Sequence, residues 1–252
     1  MYVMQLLGMI VSALVFGAAL ADFTPGRLVQ VIQAAAVTTI ALNILALWKQ
    51  ETRNRSRTAA NRPEVSFRES WSSFSHGAYA LRRLLAVGLG TMAFSMQDVL
   101  LEPYGGQVLH MGVGATTQLS ATLALGGLLG FGLASRILGR GADPYRLAAQ
   151  GALLGVPAFL AVIFAAPLDA QMLFGLGVLL IGFGGGLFAH GTLTATMQLA
   201  PPEQVGLALG AWEAVQATTA GIGVALGGVI RDVVMQAQQQ GLVIPGWNGP
   251  VA

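Results

Sequence analysis

The sequence predicts an all-α integral membrane protein. Three observations carry that reading. Of its 252 residues, 54% are hydrophobic and only 10% are charged, against about a quarter charged in a soluble domain. There is too little polar surface to coat a water-soluble globule. Apolar runs of about 20 residues, the length that crosses a hydrocarbon core, recur along the chain. The basic residues are gathered into a few of the connectors between those runs. The runs are too long for barrel strands and do not alternate apolar with polar positions. The absence of cysteine excludes disulfides, iron–sulfur clusters and thiol catalysis.

Seven runs qualify as spans, roughly 3–20, 29–48, 84–102, 113–135, 147–166, 172–199 and 205–230. The first is apolar but has no basic n-region, so it reads as a span and not as a cleavable signal. "ADFTPGR" separates it from the second. Residues 49–83 follow, long, polar and basic, and read as a linker between two groups of helices. The third span ends in "QDVLLEPYGG", where Pro103 disfavours helix at Glu102 and closes the segment. "GRGADPYR", "APLDA" and "APPEQ" punctuate the remaining spans with turn residues. After Arg231 the chain is polar and too short to cross again. The expected organisation is therefore a helix hairpin over 1–48, a linker over 49–83, a helix bundle over 84–231 and a polar tail over 232–252.

Charge placement sets the orientation, because basic loops stay cytoplasmic. With the first helix running outward, eleven of the thirteen Lys and Arg residues fall inside, leaving Arg27 and Arg231 outside. Residue 1 and the linker are then cytoplasmic. A two-plus-five division around a basic cytoplasmic linker is incomplete as a transporter. It matches helices five to eleven of a twelve-helix fold with a central loop. The hairpin is then expected to stand apart from the second group, whose last helix would be missing.

Two carboxylates, Asp98 and Glu102, stand four residues apart at the outer end of the third span. On a helix that spacing puts them on one face. Acids inside a membrane span are functional candidates by default. A polar helix end facing the headgroups is the plainer reading. A proton relay, a cation site and an acceptor for a partner helix's hydrogen bonds are all compatible with the spacing. "RNRSR" in the linker is explained by topology better than by nucleic acid. No phosphate loop, zinc spacing or Ser-His-Asp arrangement stands out, so neither a catalytic residue nor a metal site is assigned.

The stretches "DFTPGRLVQVIQ" (22–33), "LNILALWKQE" (42–51), "MQDVLLEPYGGQVL" (96–109), "FAHGTLTATMQLAP" (188–201) and "LGAWEAVQATTAGIGVALGGVIRD" (209–232) carry a family resemblance. The chain resembles the PucC/LhaA family, the bacteriochlorophyll-delivery branch of the major facilitator superfamily. The resemblance implies a major-facilitator-like helix bundle, with about seven transmembrane helices present here. It implies a non-enzymatic assembly factor for light-harvesting complexes in the inner, intracytoplasmic photosynthetic membrane. Antenna polypeptides, bacteriochlorophyll synthase and the lipid bilayer are the implied partners, and bacteriochlorophyll the implied cargo or cofactor. The resemblance adds Gln97 and Tyr104, from its most specific block, to Asp98 and Glu102 as binding residues. "GLASRILGR" (132–140) is similar to the superfamily's loop between helices eight and nine, with Arg136 where an Asp is usual. That departure argues against an ordinary gating salt bridge. A proton-coupled transporter of a small molecule is the alternative function.

His190 and Glu213 form a second candidate site. Each lies eight or nine residues from the inner end of its span, about 12–14 Å deep at the helical rise. They are placed to pair. Within the resemblance, His190 is the candidate axial ligand for a bacteriochlorophyll magnesium, with the glycines of "GFGGGLFAHG" clearing room for a flat macrocycle. The competing reading is helix packing through Gly182 and Gly186. Gly126/Gly130, Gly206/Gly210 and Gly223/Gly227 carry the same packing spacing. Trp48, Trp212 and Trp247 are expected in the aromatic belt. His110 reads as a surface residue, and His76 carries no assignment.

Overall fold

The computed structural model describes residues 2–48, 67–75, 79–201 and 204–239. Within them the chain is all helical: α1 (Tyr2–Ala19), α2 (Pro25–Trp48), α3 (Phe67–Ser75), α4 (Ala80–Ser95), α5 (Leu101–Pro103), a π turn (Tyr104–Val108), α6 (Val113–Leu138), α7 (Pro144–Ala165), α8 (Gln171–Leu199) and α9 (Val205–Gln239). Five helices, α2 and α6 to α9, are long and apolar enough to cross a membrane, and α1 is a shorter apolar helix. The chain is an all-α integral membrane protein.

Local chemistry sets several boundaries. Thr24 caps α2 by accepting from the Arg27 amide at 3.1 Å, with Pro25 at the first helical position. Asp143 caps α7 by accepting from the Tyr145 amide at 2.8 Å, followed by Pro144. Gly141 takes φ 86° in the turn between α6 and α7, a conformation that suits glycine.

Three expected boundaries move. The linker ends sooner, because α4 begins at Ala80 and already contains Arg82 and Arg83. The last helix runs on to Gln239, so the start of the expected tail is helical. The third span does not end at Pro103. Its regular ladder stops at Ser95, a turn covers residues 96–100, and Pro103 then sits in helical geometry with φ −59° and ψ −41°. Proline lacks an N–H but tolerates the start of a helical turn, and Pro103 stands there. Residues 49–66 lie outside the described residues, as do His76 and Trp247.

Glycines build the centre. Along α8, Gly177, Gly184 and Gly191 recur every seven residues on one face against α7. A Cβ at these positions would lie 3.0 Å from the Ala158 carbonyl, 2.7 Å from that of Gly151 and 2.8 Å from that of Pro144. The neighbouring face presents Gly182 and Gly186 to the Leu123 and Gly127 carbonyls of α6. Gly126 and Gly130 of α6 answer against the Leu179 and Phe183 carbonyls. Small residues admit this close approach of backbones in lipid. α9 packs on α4 in the same way, with Gly223 and Gly227 against the Met92 and Met96 carbonyls. Gly206 and Gly210 share that spacing but face open space, so spacing alone misassigns them.

The first two helices part company. α1 lies along α6, with Gly17 and Gly114 in mutual backbone contact and Leu6 against Gly127. It is not detached from the second group. α2 buries no residue. Trp212 also departs from expectation. It is 1% exposed, buried between helices and not in an aromatic belt, whereas Trp48 is exposed.

Candidate functional site

The acidic corner is built where α4 loses its regular ladder. The Asp98 amide donates to the Ser95 carbonyl at 3.1 Å, an i−3 bond. Leu101 then bonds Gln97 at 3.1 Å, an i−4 bond, and Leu109 bonds Tyr104 at 3.2 Å, an i−5 bond. The backbone thus widens from a tight turn to a π turn between Ser95 and Leu109. Such π turns often mark functional sites. Gln171 pins the far end, its Nε2 donating to the Leu109 carbonyl at 3.0 Å. Below this segment lies a packed apolar cluster of Leu101, Leu109, Leu119, Ala165, Phe174 and Val178.

Four predicted residues occupy this corner, and they divide by environment. Asp98 and Glu102 are exposed. Gln97 is buried, donating from Nε2 to Asp98 Oδ1 while its Oε1 has no partner. Tyr104 turns inward, its ring 5.6 Å from that of Phe174 and packed against the apolar cluster. The two acids engage different neighbours. Asp98 is held by Gln97, and Glu102 accepts from Ser120 Oγ of α6 at 3.3 Å. Because residues 96–100 are a turn and not a regular helix, the i,i+4 rule does not by itself set their common face. The corner offers the acceptor oxygens of two exposed carboxylates to donors arriving from outside.

His190 lies on the α6 side of α8. Its ring stands edge-on to Phe131 at 5.1 Å and 71°, and its buried Nδ1 has no hydrogen-bond partner. Glu213 is exposed on α9. A polar link between α8 and α9 is Trp212 Nε1 donating to Thr192 Oγ1 at 3.3 Å. The glycines around His190 do not clear a floor for a macrocycle. Gly182 and Gly186 abut the α6 backbone, and Gly184 and Gly191 abut the α7 backbone. The orphaned nitrogen alone suits a ligand, but this packing does not fit a tetrapyrrole lying flat on α8 there. His110 is exposed with φ 52° at the end of the π turn. Arg136 is exposed in the last turn of α6, so most of "GLASRILGR" is helix and not loop.

Sequence reasoning missed Thr192, Ser120 and Gln171 as partners that tie helices together. Lone hydroxyls and amides in apolar runs carry no spacing signal. Their roles depend on which helix lies opposite.

The family model described as "PUCC protein" matches residues 1–247. The chain is 57% identical over 237 residues to Protein PucC of Rhodovulum sulfidophilum, covering 93% of this chain and 52% of that protein. It is 53% identical over 234 residues to Protein PucC of Cereibacter sphaeroides, covering 93% of this chain and 51% of that protein. A more distant relative is the bacteriochlorophyll synthase 44.5 kDa chain of Rhodobacter capsulatus, 28% identical over 242 residues, covering 92% of this chain and 55% of that protein. The chain spans about half the length of the curated relatives it matches.

Proposed function

The chain belongs to the PUCC protein family, and on that premise we propose that it serves the assembly of photosynthetic pigment–protein complexes. It is a non-enzymatic membrane factor that holds bacteriochlorophyll or antenna polypeptides while light-harvesting complexes form. The name of the distant relative, a bacteriochlorophyll synthase chain, supports a place beside pigment synthesis. The bilayer is the photosynthetic inner membrane. By the charge rule, residue 1 and the basic segment face the cytoplasm. The helices from α4 onward make up most of one facilitator-like half.

One observation carries the reading: the acidic corner. Two exposed carboxylates, Asp98 held by the buried Gln97 and Glu102 held by Ser120, stand on the irregular backbone that follows α4. Acids within a membrane segment are candidates for a functional role. Carboxylates accept strong charge-assisted hydrogen bonds. They suit a partner helix end or a pigment's polar substituents.

The test replaces both acids with their amides. Asp98→Asn with Glu102→Gln keeps shape and removes charge. Introduced into a full-length family protein in pigment-producing cells, the pair is expected to cut antenna absorbance several-fold. Membrane levels of the factor, followed by immunoblot, should hold. Normal antenna absorbance from that variant would return both acids to the role of a polar helix end.

A further inference from the structure

At the end of the bundle opposite the acidic corner, Phe188 stands between α8 and α4. Its ring lies in the seam, against Gly90 of α4 and 6.0 Å from the Phe94 ring. Beyond it toward the inner end, a cavity of about 200 Å³ opens between α4, α7 and α8. Its walls include Ala86, Ala148, Ala149 and Ala152. Thr192 and Thr196 also line it, but their hydroxyls donate back to the Phe188 and Thr192 carbonyls at 2.9 and 2.8 Å. The wall is therefore largely apolar. A second cavity of about 310 Å³ shares Arg83, Ala86 and Tyr145 with the first and adds Tyr79 and Arg82. Together they form one groove with a basic mouth.

The mouth carries two arginines. Arg83 lies over the Tyr145 ring, 5.7 Å from its centroid. Among the described residues, neither Arg82 nor Arg83 has a carboxylate within ion-pair distance. The acid on the adjoining α7 cap, Asp143, is taken by the Tyr145 amide at 2.8 Å and by Arg146 at 3.8 Å. Tyr79, held at φ 67° just before α4, adds an aromatic ring of the kind found at headgroup level.

We propose that this groove binds an anionic phospholipid. The phosphate sits at Arg82 and Arg83, and one acyl chain runs along the alanine wall toward Phe188. Basic pockets between membrane helices at the cytoplasmic side take anionic headgroups. Guanidinium groups pair with phosphate through two parallel hydrogen bonds. A free phosphate would leave the apolar depth unfilled. A choline headgroup would set a positive charge against two arginines. The site is distinct from the acidic corner, so its fate in experiment is independent of the proposed function.

Native mass spectrometry of the detergent-purified chain, titrated with phosphatidylglycerol or phosphatidylcholine, tests the proposal. Phosphatidylglycerol should bind at lower concentration. Arg82→Gln with Arg83→Gln should weaken it about thirtyfold, which is about 2 kcal/mol. Ala152→Phe, a change at an exposed position, should fill the groove and weaken it while leaving both arginines in place. This variant decides the matter if the arginine pair impairs folding. Equal binding of the two lipids, or full phosphatidylglycerol binding by Ala152→Phe, would overturn the site. Displacement by soluble glycerol phosphate at equal concentration would overturn the choice of a lipid.

Discussion

α8 has a closed side and an open side, and the two differ by a few side chains. Toward α7 and α6 it presents glycines, and backbone meets backbone along its length. Toward α4 it presents Phe188, and the seam beyond that ring is a groove. Both sides are apolar. In lipid, apolarity does not drive helices together, because the tails are as apolar as leucine. Side-chain size then decides where helices close and where space remains. The comparison also explains α2. Its most apolar window has a mean hydropathy of 1.8, close to the 2.1 of α8, yet none of that window is buried against half for α8. Hydropathy selects a span. It does not select a neighbour.

The sharpest way to break the comparison is to put bulk into the closed side. Gly184→Leu drives a side chain into the Gly151 carbonyl, 2.7 Å from where its Cβ would stand. A backbone carbonyl in a packed helix cannot swing away. The cost should reach or exceed the roughly 1–3 kcal/mol typical of overpacking. Gly175→Leu, on the same helix with nothing within 4 Å of its Cβ, should cost far less. Thermal melting of the two purified variants, followed by circular dichroism, reads the difference. Matching melting temperatures would show that the closed side is not held by close backbone contact.

A smaller effect is expected at the polar link beside the open side. Trp212 Nε1 donates to Thr192 Oγ1 at 3.3 Å, and both residues are buried. Thr192 already donates to the Phe188 carbonyl, which leaves its oxygen lone pairs for Trp212. A double-mutant cycle of Trp212→Phe and Thr192→Val should give a coupling of about 0.6 kcal/mol, the average for such bonds in a membrane. The cycle cancels the packing that Trp212→Phe loses by itself. No measurable coupling would mean that the bond adds nothing to holding α9 against α8.

Much of this fold is legible in the sequence, and the exceptions have physical reasons. Six of the seven apolar runs lie almost wholly on helices, and the third does so over residues 84–95, because length and apolarity are local properties. The end of the third run is not legible. Pro103 marks a break, but the break occurs several residues earlier, where Gln97, Asp98 and the turn at 96–100 set it. Gly126/Gly130 and Gly206/Gly210 look alike as strings. The first pair packs on α8 and the second faces open space, because the opposing surface is not written in either string. Trp212 was expected at an interface from its place near a span end. It is buried, and α8 offers Thr192 opposite its N–H. At the candidate site the spacing singles out the two acids and the family resemblance adds Gln97, while the acids' separate partners, Gln97 and Ser120, depend on the turn and on α6.

The smallest expected effect falls on His190, and it separates the two sides of α8 as places for a ligand. His190 lies on the closed side, beside Phe131 and among glycines already packed on α6 and α7. A macrocycle could reach it only by prising those helices apart, at the cost that Gly184→Leu is designed to reveal. His190→Leu keeps an apolar side chain of similar bulk beside Phe131. It also removes a buried nitrogen that lacks a partner, and an unpaired buried polar group carries a penalty of its own. The variant should therefore be as stable as the parent or slightly more so. Its yield of co-purified bacteriochlorophyll, read from the absorption spectrum after expression in pigment-producing cells, should equal the parent's. Loss of the pigment band with normal protein yield would instead make His190 a ligand. The closed side of α8 would then have to open in the pigment-bound state.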